Sequence, residues 1–462
     1  SVRVLYSKDK DYIYKCVDCD SLFFSSSVDD KYNIIEIRNR NAKAYEPEDL
    51  TPSWCIPYKY FTLSSFHSWT EVNYWAQRVF SLDMEPHLDS VFSEIFTGEE
   101  TTEDKINKVI DYVQNDIRYM GIESGIGSIK PFPPEQVVTQ RFGDCKDKSL
   151  LLVSLLKQIG IENAYPVLVN TIFQHEVDKL YPSNEVFNHC IVTFDYQDTT
   201  YWVDPSFPQQ GGDFKNLYNI DYGKALIIGL PQDTLDRMAV RDTRSGATVT
   251  EEFTINSFTG PTAVKITSNR YGFEADQRRI VMEYYSTKDI SDLVAKDLGL
   301  LFPVVTKTEE VEITDDVGNN NFMVTYYYNV DDYWKDGDEG ANEATKGFWI
   351  FKFEPVFLYQ YMNVHACEER KVDCLLNHPV NLNYSVIFHF PNDLLVLDDI
   401  KSYDNDVFSF EEKIEQTGKN SLQINYRYIT KNKAIKAENY KNICAEQNKI
   451  AKDLPVIIYF NK

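Results

Sequence analysis

The sequence predicts an α+β chain in which a helical core is flanked by strands and followed by a mostly antiparallel β region. Three observations predict it. Tyr and Phe number 31 and 28, and aromatics at this level favour pleated, half-buried surfaces. Helix-start signals and apolar positions at helical spacing gather between about residues 68 and 160. After about residue 236, alternating runs separated by Asp, Asn and Gly turns take over. A length of 462 residues suits roughly two to four domains, and 43% hydrophobic residues can bury a sizeable core.

Residues 1–66 read as a β segment, from runs such as Val2-Arg3-Val4-Leu5-Tyr6 and Ile34-Ile35-Glu36-Ile37. Residues 67–235 form the core domain. Ser68-Trp69-Thr70-Glu71 is a capping box, and Thr101-Thr102-Glu103-Asp104 is an imperfect one with Asp in the last place. Ile106, Val109, Ile110, Val113 and Ile117 then share one helix face. Gly121 to Gly127 is an irregular connection, and Pro134 suits the first turn of a short helix through Gln140. The leucine-rich stretch Cys145 to Ile159 predicts a buried helix, closed where Gly160 supplies a left-handed residue. Tyr165–Asn170, His189–Tyr196 and Thr200–Asp204 read as strands, the last two joined by a tight turn at Gln197-Asp198. Residues 236–462 read as a β-sandwich-like domain with helical insertions near 273–286 and 436–452.

Composition excludes several classes. A net charge of -24 with no basic stripe argues against nucleic acid as a partner. No apolar run approaches the ~18–20 residues of a membrane span. Eight cysteines in this length are no disulfide framework. Cys16 and Cys19 form a C-x-x-C pair without a second pair at ligand spacing, so no metal site or cofactor is expected. Cys367 and Cys374 could close a small loop or stay as two free thiols.

One constellation carries chemistry. Arg141-Phe142-Gly143-Asp144-Cys145-Lys146-Asp147-Lys148-Ser149 puts a cysteine at a helix start, followed by Phe187-Asn188-His189 and Trp202-Val203-Asp204-Pro205. Cysteine, histidine and aspartate are what a thiol nucleophile, its base and the base's orienter require. A helix N-terminus favours the thiolate and offers N–H groups to an oxyanion. A two-residue turn at Gln197-Asp198 would oppose Asp204 to Ile191, two residues from His189. An even offset puts His189 and Asp204 on one face as diagonal neighbours, ~7–8 Å apart at the backbone. Asp144 and Asp147 oppose a thiolate unless they cap the helix or pair with Lys146, Lys148 or Arg141. The other six histidines lack a comparable context. Gln140 lies five residues before Cys145, but a helix-surface role is the preferred reading.

These residues resemble the bacterial transglutaminase-like superfamily. Gly143-Asp144-Cys145-Lys146-Asp147-Lys148, Phe187-Asn188-His189 and Trp202-Val203-Asp204-Pro205 carry the resemblance, as do Ile117 to Glu123 and Gly160-Ile161. Leu63 to Trp69 resembles the junction with a β-rich N-terminal domain of unknown function that flanks such cores in multidomain bacterial proteins. The resemblance implies a papain-like core, a Cys145–His189–Asp204 triad and Tyr119 near the reacting atoms. It also implies that the N-terminal domain is only partly present, and that the protein is exported to the periplasm or cell surface by a signal outside this chain. The expected function is thiol-dependent acyl transfer on protein or peptide amides, with hydrolysis favoured for want of an amine-acceptor feature. A protein-crosslinking transglutaminase and a non-catalytic interaction module are the alternatives, and oligomeric state is left open.

Overall fold

A computed structural model describes all residues except 18–23, 39–43, 83, 122–127, 241–244, 340–342 and 363–366. The Cys16–Cys19 pair and the Gly121–Gly127 connection therefore lie partly outside the described residues. The chain divides into two compact units. One holds Ser1–Pro47, Ser53–Gln209 and Asp213–Asp242; the other holds Glu48–Pro52, Gln210–Gly212 and Thr243–Lys462.

The first unit opens with β1 (Val2–Ser7), β2 (Ile13–Val17), β3 (Phe24–Val28), β4 (Tyr32–Ile37) and β5 (Tyr60–Ser64). β4 is central between β1 and β3, and β2 pairs with β5. Helix α1 (Trp69–Val79) starts at Ser68, whose hydroxyl accepts the Glu71 N–H at 3.2 Å. Glu71 reaches back one residue further than a regular box, to the His67 N–H at 2.8 Å. α2 (Asp89–Ile95) follows, then α3 (Thr102–Asp111), where Asp104 completes a reciprocal box with Thr101 despite its short side chain.

The helix face expected to run through Ile117 ends earlier. A π turn at Tyr112–Asp116 follows α3, and Ile117 is extended. The wider turn still buries Val113 and Ile117, and the carbonyls of Gln114 and Ile117 accept a buried side-chain cation. β6 (Arg118–Tyr119), α4 (Pro134–Gln140) with proline in its first turn, and β7 (Phe142–Gly143) lead into α5 (Cys145–Gln158). Every residue of α5 from Lys146 to Leu156 is buried. Its end is a Schellman motif: Gly160 has φ 92°, its N–H donates to Lys157 O, and the Ile161 N–H donates to Leu156 O.

β8 (Ala164–Val169), β9 (His189–Tyr196), β10 (Thr199–Val203), β11 (Lys224–Ile227) and β12 (Asp236–Arg237) form an antiparallel sheet in the order β10-β9-β8-β11-β12. Leu151, Leu152, Leu155 and Leu156 of α5 share a core with Val109, Val113, Val192 and Phe194. The Ser149 hydroxyl donates to Cys190 O at 3.0 Å, fixing α5 along β9.

The second unit is built on one large sheet. Its elements are β13 (Gly246–Ile255), β14 (Thr262–Tyr271), α6 (Phe273–Tyr284), α7 (Thr287–Leu298), β15 (Val304–Lys307), β16 (Glu312–Asp316) and β17 (Asn321–Asp331). There follow β18 (Lys335–Asp336), β19 (Phe348–Phe353), α8 (Val356–Tyr359), β20 (Cys374–Leu375), β21 (Asn381–His389), β22 (Asp399–Asp404), β23 (Phe408–Gly418) and β24 (Ser421–Thr430). β25 (Ala434–Ile435), α9 (Ala437–Asp453) and β26 (Val456–Asn461) close it. Among the described residues nine strands run in the order β15-β17-β14-β13-β21-β24-β23-β22, with β16 also on β17, and only the β13–β21 pair of this sheet is parallel. Burial alternates along β14, β17, β21 and β24, so one face is covered. The small β18-β19-β26 sheet covers one end of that face, through contacts such as Phe253–Phe353 and Phe390–Phe460. Helix α7 was not foreseen, although Ser286 and Asp289 form a reciprocal capping box. The possible Cys367–Cys374 loop is corrected: Cys367 is bonded to Cys444, which α9 presents, and Cys374 is a buried free thiol.

Candidate active site

The site begins at the start of α5. β6 and β7 run parallel, opposing Tyr119 to Gly143, and deliver the chain to Asp144 in an extended conformation. The Asp144 carboxylate accepts the N–H groups of Lys146 and Asp147 at 3.1 and 3.3 Å. Asp147 reciprocates, accepting the Asp144 N–H at 2.9 Å and the Phe132 N–H at 2.8 Å. A Cβ on Gly143 would lie 2.7 Å from Asp147 Cβ, so glycine is what lets this cap close. Lys146 pairs with Asp144. The two aspartates flanking Cys145 thus spend their oxygens on backbone N–H groups and one lysine. Burial raises the Asp147 pKa, against the two N–H bonds.

Asp147→Ala is expected to destabilise the unit by about 2–3 kcal/mol, because it strands one buried and one part-buried donor. Urea unfolding measures this, and a loss below about 1 kcal/mol would show the N–H groups re-paired.

Lys148 departs from the expectation that it screens these aspartates. Its ammonium is buried and donates to Ile117 O at 2.7 Å and Gln114 O at 3.2 Å. Burial pulls its pKa down to about 8, with the Asp204 charge opposing. Lys148 ties the π turn to α5 where Cys145 begins.

The second half of the site is the β9–β10 hairpin. Gln197 and Asp198 both adopt positive φ, 49° and 58°, as a type I′ turn requires. The register opposes Tyr196 to Thr199 and Val192 to Val203, as the turn predicts. Asp204 follows directly, and its Oδ2 lies 2.7 Å from His189 Nε2. Oδ2 also accepts the Tyr222 hydroxyl at 2.9 Å, while Oδ1 accepts the Ser206 N–H at 2.9 Å. Gln114 donates to Asp204 O at 2.9 Å.

Burial disfavours a charged His189. The hydrogen bond and charge of Asp204, and a hydrogen bond with the Cys145 thiol, outweigh it and raise the imidazole to about 10. Burial likewise opposes the Asp204 charge, but His189, the Ser206 N–H and Tyr222 hold its pKa below the usual value. Tyr222 is pushed far up by burial and by Asp204, so it stays a neutral donor. With Nε2 committed to Asp204, Nδ1 is the nitrogen left for Cys145.

Cys145 and His189 open on a cavity of about 400 Å³. Trp75, Phe80, Leu168 and Phe187 give it apolar walls, and Asn184 and Asn188 give it polar ones. Cys145, His189 and Asp204 are therefore brought together. Tyr119 is held beside Gly143 by strand pairing, but it is 51% exposed and is not among the residues lining this cavity. The Gln140 amide is turned onto Phe142 O at 2.8 Å. Tyr222 and Gln114 were not singled out from sequence. For Tyr222 the only local signal is Gly223, with φ 80° and a virtual Cβ 2.3 Å from His175 N, which forces glycine there.

No curated protein matches the chain. Among solved structures, a proposed protease from Parabacteroides distasonis matches with a TM-score of 0.62 at 8% identity, over 99% of this chain and 72% of that one. That likeness concerns the fold. Residues 89–204 match the model of the transglutaminase-like superfamily. The segment that runs from α2 through the Cys145 helix start to Asp204 is a domain of the transglutaminase-like superfamily.

Proposed function

We propose that this chain is a cysteine-dependent acyl-transfer enzyme on protein or peptide amides, with Cys145 as nucleophile, His189 as base and Asp204 as orienter. One observation carries the reading: Asp204 grips His189 Nε2 at 2.7 Å, leaving Nδ1 for a thiol at a helix start. His189 takes the thiol proton, and Sγ adds to the amide carbonyl carbon. The cap occupies the N–H groups of Lys146 and Asp147 and leaves that of Cys145 for the oxyanion. His189 then protonates the departing amine, giving a thioester. Water attacks the thioester with His189 as base, releasing the acid and the thiol. The proposed-protease designation of the Parabacteroides structure is in keeping with hydrolysis. Resolution by an amine would instead make the enzyme a transglutaminase. Export is part of the same proposal, and the Cys367–Cys444 bond supports an oxidising compartment.

Iodoacetamide is expected to alkylate Cys145 well before Cys55, Cys190 and Cys374, with loss of activity in step. Peptide mass spectrometry reads the order, and equal rates at Cys145 and at buried Cys190 would sink the enzyme reading. Adding a primary amine to a peptide-amide assay separates the outcomes. Free acid as the sole product indicates hydrolysis; an amine adduct indicates transamidation.

A further inference from the structure

The second unit encloses a cavity that catalysis does not use. It measures about 350 Å³, lies between the covered face of the large sheet and helices α6 to α8, and is of a size usual for small-molecule sites. Val249, Ile266, Val281, Ile290, Val294 and Phe357 line it with apolar surface. Glu251, Ser268, Arg270 and Arg278 interrupt that lining with polar groups, and Asp297, Glu354 and Gln360 add more.

Register places the strand residues among them: β13 opposes Glu251 to Ile266 and Val249 to Ser268, so these polar groups stand in the apolar stripe of a covered sheet face, while Arg278 comes from α6. A core of this kind has no packing use for them. Ser268 is only 7% exposed, and its hydroxyl has no hydrogen-bond partner among the described residues. The buried Nε of Arg278 has none either. Buried groups in this condition are costly unless something satisfies them.

The pairing of the side chains around the cavity bears on the chemistry of that partner. Arg270 is matched by Glu274 at 2.6 Å and also donates to the Tyr361 hydroxyl at 3.2 Å. Among the described residues Arg278 donates only to the neutral Tyr326 hydroxyl. Burial lowers the Arg278 pKa, and the nearby Arg270 charge adds to this against Tyr326. Of the carboxylates, Asp297 accepts from Gln360 at 2.9 Å, and Glu354 is paired with Lys352. Burial raises Glu251 to about 7, with the Tyr384 hydroxyl opposing, so it carries only about half a charge at neutral pH. Among the described residues Arg278 makes no ion pair, and the orphaned Ser268 hydroxyl faces the same cavity.

We propose that this cavity binds an amphiphile with one carboxylate and an apolar tail, the carboxylate meeting Arg278 and Ser268 and the tail lying against α7. A doubly charged head such as a phosphate monoester is disfavoured, because Asp297 and Glu354 also line the walls.

Calorimetric titration of the full chain with decanoate, decanol and decyltrimethylammonium, each below its micellar concentration, tests the proposal. Decanoate is expected to bind, and decanol roughly tenfold or more weakly, the difference made by a charge-assisted hydrogen bond. The cationic probe is expected not to bind. Arg278→Gln should remove the preference for decanoate over decanol, and Ser268→Ala should reduce it. If Arg278→Gln does not fold, Leu293→Trp is the second variant. Leu293 lines the cavity from a 55% exposed position, so tryptophan there should block the tail and abolish decanoate binding. No binding by decanoate, equal binding by decanol, or a preference that survives Arg278→Gln would overturn the proposal. Alkylating Cys145 beforehand should change none of these results, which keeps the test separate from catalysis.

Discussion

Cys145→Ala is expected to fold as the parent does and to lose turnover by on the order of 10⁶-fold, as when a nucleophile is deleted from a catalytic unit. The folding half follows from how α5 is started. Its cap is made by Asp144 and Asp147, and its axis is held by Lys148 and Ser149; the Cys145 sulfur holds neither. The activity half follows from the absence of a substitute. Cys190 is buried, its thiol pKa is raised well above normal by burial and by the nearby Cys145, and it faces the Ser149 hydroxyl. His189→Ala should cost about as much, and the double variant little more, because the two side chains act as one unit. Circular dichroism and an amide-hydrolysis assay measure both halves. A variant that keeps a tenth of parental turnover would place the nucleophile elsewhere.

Asp204→Asn is expected to preserve folding and to lower turnover by about 10²–10⁴-fold, the cost of a triad that loses its orienter. The carboxylate does two things that an amide does not. It accepts from His189 Nε2, keeping Nδ1 towards the sulfur, and it supplies the charge that raises the imidazole to about 10. With asparagine the alkaline limb of kcat/KM should move from about 10 towards the ordinary histidine value of 6.5. Stability should follow the same groups. The folded-state pKa of His189 is raised, so its contribution is complete below 6.5 and disappears as pH rises through about 10. The folded-state pKa of Asp204 is lowered, so its contribution is complete above 3.8 and disappears on acidification. The parent-minus-variant difference in urea midpoint should therefore form a plateau between those two ordinary values and decline on both sides. A flat difference across pH would mean that the pair does not carry the charge assigned to it.

Much of this site is legible in the sequence, for specific reasons. Strand side chains alternate with period two, so a turn of even length is enough to put His189 and Asp204 on one face. Gln197 and Asp198 then set the register residue by residue. The start of α5 is legible because a capping aspartate three residues before another carboxyl is a local pattern, and the Gly160 stop is equally local. Tyr222 is not legible, because it reaches Asp204 from a loop 18 residues away that has no periodicity. Lys148 is legible as a charge but not as a ligand for carbonyls, since those belong to a π turn that reads as continuous helix. In the second unit the alternating strands show themselves. Cys444 does not announce Cys367, because their meeting depends on how α9 packs across 77 residues of intervening chain.

The helix that begins at Cys145 is also buried without interruption from Lys146 to Leu156. The sulfur's position is consequently a readout of the whole leucine core, not of a loop that can adjust alone. Thermal inactivation should track global unfolding with no earlier phase of local loosening. Variants selected for residual activity after heating would then be selected for core packing, and a simple turnover assay could serve as a thermometer for the fold.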